Sequence, residues 1–139
     1  MARRRAAAFR LTAPVLREPI IHKQIADTLR VELCPPGRIS RAGVTWWSVD
    51  MAAYGGSVPG IRTARGCIAG VPDMVVLYRG SAYFLELKAD DGSLTDTQEV
   101  VGTAILMAGA RYGVVRNAAE ALQHLDVWEI PRAHRIRGL

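Results

Sequence analysis

The chain of 139 residues carries a formal net charge of +5, a pI near 9.8 and an apolar half. That is enough apolar material for one core and too much for a disordered chain, while no apolar run approaches the roughly 20 residues of a membrane helix. The surplus of arginine and lysine suits a polyanionic partner, because neutralising phosphates releases counterions.

Residues 1–13, with Arg3, Arg4, Arg5 and Arg10, read as a flexible basic arm. Arg10, Thr12 and Pro14 break the apolar patch that follows the first arginines, so no secretion signal is expected and the cytoplasm is the expected compartment. Cys34 and Cys67 form no C-x-x-C pair, and with His22, His124 and His134 they make no zinc spacing; reduced thiols are expected.

A first helix fits Glu18 to about Leu33: Pro19 suits an early helical position, and Ile21, Ile25 and Leu29 recur at fourfold spacing. Glu18, three residues before Ile21, shares that inward face. Prolines and glycines make residues 34–43 a loop, after which "VTWWSV" reads as a strand. Its two tryptophans point opposite ways, Trp46 or Trp47 to the core and the other outward. A glycine-rich loop follows, then a short helix over 61–68. Its Arg62 and Arg65 suit phosphate contacts or an ordinary solvated face.

The central hairpin comes next, with strands Met74–Tyr78 and Ala82–Lys88 around a turn at "RGS". A loop holding Asp90 and Asp91 leads to Thr95, which caps a helix running to Met107. Residues 110–115 form a further strand, and Asn117 with Glu120 fits a capping box for a helix over 118–125. Residues 131–139 read as a basic tail. The order predicts an α/β fold, a mixed β-sheet flanked by helices.

The hairpin is apolar like a sheet covered on both faces, yet it holds Asp73, Glu86 and Lys88. On a strand Glu86 and Lys88 share a face about 7 Å apart, and a three-residue turn sets Asp73 opposite residue 87. A buried charge cluster is costly unless a cation compensates it. Two carboxylates and the Leu87 carbonyl form a hard oxygen site suited to magnesium or manganese, with Lys88 beside it to orient water and offset charge on phosphorus. A salt-bridged sheet end is the plainer alternative.

Pro72-Asp73, then Glu86-Leu87-Lys88, resembles the PD-(D/E)xK nuclease signature. The flanking "GVPD", "FLELK", "GSLTDTQ" and "GARYGVVRNAAEAL", with "WW" upstream, resemble the VRR-NUC family over roughly residues 14–125. Many members continue the tryptophan strand with Pro-Asn-Gly, where this chain has Ser48-Val49-Asp50. The resemblance implies a restriction-endonuclease-like core spanning 14–130 and metal-dependent phosphodiester hydrolysis without a nucleotide cofactor. Asp73 and Glu86 would be metal ligands and Lys88 the catalytic lysine. Glu18 would complete the metal site, and Gln98 would point into it unless its place in Thr95-x-x-Gln98 is simply a capping box. Members of this size imply a homodimer acting on branched DNA such as four-way (Holliday) junctions, in a bacterial or phage-infected cell. The alternatives are a non-catalytic DNA-binding subunit on the same fold and a nuclease for another nucleic acid.

Overall fold

A computed structural model describes residues 17–49 and 64–134. The basic arm, the glycine-rich loop, Arg62 and residues 135–139 of the basic tail lie outside the described residues. Helix α1 spans Glu18–Glu32, with a proline in its first turn and Ile21, Ile25 and Leu29 buried. Strands β1 (Val44–Ser48), β2 (Met74–Tyr78) and β3 (Ser81–Leu87) follow, then helix α2 (Asp96–Met107), strand β4 (Arg111–Val115) and helix α3 (Ala118–Val127).

The strands form one mixed sheet in the order β1-β2-β3-β4, antiparallel except for the parallel β3–β4 pair. Strand alternation divides the side chains between two faces. Val44, Trp46, Met74, Val76, Leu85, Leu87 and Val115 are buried in one core with Ile21, Ile25 and Leu29 of α1 and Ala121 and Leu125 of α3. Trp46 is sealed and donates its indole N–H to the Cys34 carbonyl at 2.8 Å, while Trp47 on the other face stays 39% exposed. Phe84, Glu86 and Tyr112 belong to that second face. Helix α2 covers it, with Gly102 against the Tyr112 ring and Gln98 bonded to Glu86. Among the described residues, no helix is long and apolar enough to cross a membrane.

Three local expectations are corrected. The hairpin turn has two residues, not the three of "RGS": Tyr78 pairs with Ser81. Arg79 and Gly80 both take positive φ, 49° and 75°, as a type I′ turn requires. Extending this register sets Asp73 opposite Glu86 instead of Leu87. In the segment 61–68, only Ala64 of the described residues is helical, and a turn at Arg65–Gly66 ends it well before Ile68. The last helix begins with half a capping box: Asn117 accepts from the Glu120 N–H, but the Glu120 carboxylate turns to the Arg116 N–H at 2.8 Å.

Candidate active site

Four chain segments meet at one end of the second sheet face: the entry of β2, the end of β3, and the first turns of α1 and α2. Asp73 precedes β2, and its main-chain carbonyl still takes the Val49 N–H at 2.7 Å, continuing the β1–β2 ladder. Its carboxylate Oδ2 accepts the Leu87 N–H at 2.8 Å, which pins it to the end of β3. Glu86, 2% exposed, receives the Gln98 Nε2 amide at 2.6 Å on Oε1. Lys88 follows where β3 ends, its N–H held by the Val115 carbonyl. The buried ammonium lies 3.6 Å from Glu86 Oε1 and 3.5 Å from Glu18 Oε1.

Gln98 serves both purposes open to it from the sequence. Its Oε1 accepts the Thr95 N–H at 2.9 Å, and Thr95 Oγ1 accepts the Gln98 N–H in return, so the capping box is complete. Its other end, the amide nitrogen, holds Glu86.

Glu86 Oε2 is buried and has no protein partner. Burial, reinforced by the adjacent Asp73 carboxylate and only partly offset by Lys88, pushes the Glu86 carboxyl up to about 7. Lys88 thus pairs with two carboxylates, Glu86 and Glu18, while Asp73 stands next to Glu86, so three negative charges stand against one positive when all are ionised. A divalent cation would offset that charge and give the orphaned oxygen a partner, and the Asp73 and Glu86 carboxylates are hard oxygen donors of the kind magnesium or manganese takes. Glu18 is half-exposed and pairs with Lys88. Among the described residues, no three His, Cys, Asp or Glu side chains gather around a common point.

An open cavity of about 560 Å³ adjoins the carboxylates, lined by Glu18, Pro19, His22, Lys23, Asp73 and Leu87. His22 and Lys23 were not singled out in the sequence. The signal lay in the spacing: residue 22 is one helical turn beyond Glu18, on the same side of α1. His22 Nε2 shares a hydrogen bond of 2.9 Å with Ser48 Oγ at the end of β1, which fixes the ring at the cavity wall. Arg65 is exposed and lines no part of this cavity. Comparisons with protein-family models, curated proteins and solved structures find no match for this chain.

Proposed function

We propose that the chain is a magnesium- or manganese-dependent endonuclease of the VRR-NUC type, with a restriction-endonuclease-like core, that hydrolyses phosphodiester bonds in DNA. The observation that carries this reading is the buried, unpartnered Glu86 Oε2 next to Asp73, a residue that lines an open cavity. The ion pair with Lys88 engages Oε1 and leaves Oε2 without a protein partner, a desolvation that costs about 1–3 kcal/mol or more.

Asp73, Glu86 and the Leu87 carbonyl are the groups that would hold the ion. When bound, it supplies Lewis acidity, lowering the pKa of a ligated water and drawing charge from a phosphate oxygen. The chain's own side chains do the rest. Gln98 fixes the Glu86 carboxylate in one orientation. Glu18 and Glu86 hold the Lys88 ammonium between them, where it can orient the attacking water and offset negative charge growing on phosphorus. His22 and Lys23 present donors along the wall by which a phosphate backbone would enter.

Branched DNA such as a four-way junction is the substrate proposed, cut to 5′-phosphate and 3′-hydroxyl ends by a homodimer. The outward face of α2 offers Val100, Leu106 and Met107, all more than half exposed, for the contact between copies.

The test is cleavage of linear duplex, four-way junction and structured RNA in Mg²⁺ and in Mn²⁺, with light scattering for the assembly. Junction cutting that stops in EDTA and in Lys88→Ala, with DNA binding retained, is the expected result. Normal cutting by both Asp73→Ala and Glu86→Ala would overturn the site. Metal-independent binding without any cutting would make the chain a non-catalytic DNA-binding subunit.

A further inference from the structure

Among the described residues, two buried side-chain polar atoms have no protein partner, Glu86 Oε2 and the Tyr112 hydroxyl. They belong to the same face of neighbouring strands. Phe84 pairs with Tyr112 in the parallel β3–β4 register, and Glu86 follows Phe84 by two residues on β3. Helix α2 seats them together: Gln98 bonds Glu86, and Gly102, one turn further along, lies against the Tyr112 ring. A Cβ on Gly102 would come within 2.9 Å of that ring, so the helix backbone lies directly on the phenol. The charges of Glu86 and Asp73 also reach the phenol. Together with its burial, the main cause, they push its ionisation up to about 12, so the hydroxyl keeps its proton.

A phenol that keeps its proton is a donor in need of an acceptor, and Glu86 Oε2 is an acceptor in need of a donor. The two are not within direct hydrogen-bond reach. A buried donor and a buried acceptor on one sheet face, both without a protein partner, are groups of the kind an ordered water bridges. We infer that Tyr112 is a positioning residue for Glu86, acting through one buried water that accepts from the Tyr112 hydroxyl and donates to Glu86 Oε2. A carboxylate oxygen accepts more than one bond, so this water and a cation on the same oxygen do not compete. The water holds the second carboxylate oxygen while Gln98 holds the first, leaving the group one orientation. The inference rests on the metal-site reading for its purpose, though not for its geometry.

The experiment has two arms. A high-resolution crystal structure of the metal-free protein is expected to show a water peak between the Tyr112 hydroxyl and Glu86 Oε2, absent in Tyr112→Phe. Calorimetric titration with Mn²⁺ alone is expected to show affinity reduced about tenfold or more in Tyr112→Phe, the usual consequence of losing a group that orients a ligand. Thermal stability should stay near wild type, because the ring still packs on Gly102. No water peak, or a direct bond between the two side chains, overturns the inference. So does equal Mn²⁺ affinity in wild type and Tyr112→Phe. If wild type binds no Mn²⁺, the nuclease reading falls and the water peak alone decides the role of Tyr112.

Discussion

Gln98 shows how much chemistry one side chain can combine, since a primary amide is an acceptor at one end and a donor at the other. Its oxygen completes the cap of α2, and its nitrogen holds the buried Glu86 carboxylate. Two variants separate these duties. Thr95→Ala removes the hydroxyl half of the cap and should cost about 0.5–2 kcal/mol of stability. Gln98→Ala should cost at least as much, and should also lower cleavage about tenfold or more relative to Thr95→Ala, because Glu86 Oε1 then keeps only the more distant Lys88. Urea denaturation and initial cleavage rates measure the two effects. Equal activity in both variants would reduce Gln98 to a cap. The T-x-x-Q spacing reveals the cap because capping is local. The bond to Glu86 crosses 12 positions of sequence and depends on where α2 lands, which no spacing rule reports.

At the level of elements, helices and strands are legible wherever periodicity is strong, as in the fourfold isoleucine and leucine pattern of α1. The hairpin turn is not, because Arg79 adopts a positive φ that side-chain-bearing residues rarely take. The Arg79 guanidinium lies over the Tyr78 ring, 5.2 Å from its centroid, a contact that helps hold the tight turn. The one-residue difference decides which side chain opposes Asp73. The seating of α2 is equally invisible in the sequence, since Gly102 reads there as a mild helix weakener. In an isolated helix Gly102→Ala would be favourable by about 1 kcal/mol. Here the added methyl meets the Tyr112 ring at 2.9–3.0 Å, an overpacking of the kind that costs about 1–3 kcal/mol. Gly102→Ala is therefore expected to destabilise the fold and, by lifting α2, to weaken the Gln98–Glu86 bond and slow cleavage. A more stable variant with normal activity would mean that the helix does not bear on the site. Gly70, at φ +84°, fixes the other end: a Cβ there would lie 2.6 Å from the Thr97 carbonyl, so the loop before β2 lies directly on the first turn of α2.

On the scale of the whole molecule, α1 carries a charged cluster at each end, Glu18 with Lys88 at its first turn and Glu32 with Arg132 at its last. At its last residue, Glu32 receives Arg132 Nη1 at 2.9 Å, the His134 N–H at 3.1 Å and the His134 ring, while Arg132 also grips Asp126 of α3. Residues 131–134 are thus tied to α1 across 100 positions of sequence, a link that composition at the chain end could not reveal. Burial alone would raise the Glu32 carboxyl, but the hydrogen bonds from Arg132 and His134 outweigh it and hold the group below its ordinary 4.5. A carboxyl lowered by folding stabilises the native state above its unfolded value, and that contribution disappears as the pH falls through the lowered value. Glu32→Gln should therefore cost about 1–3 kcal/mol near neutral pH, as a partner is withdrawn from a buried guanidinium that still keeps Asp126. The gap between wild type and variant should close as the pH drops below 4.5. Denaturation curves across that range measure it, and a gap independent of pH would show that Glu32 contributes packing alone. Glu18 lies about 20 Å away along the same helix. Cleavage by Glu32→Gln at neutral pH should accordingly match wild type, whereas removing the carboxylate of Glu18 should disturb Lys88 and activity together.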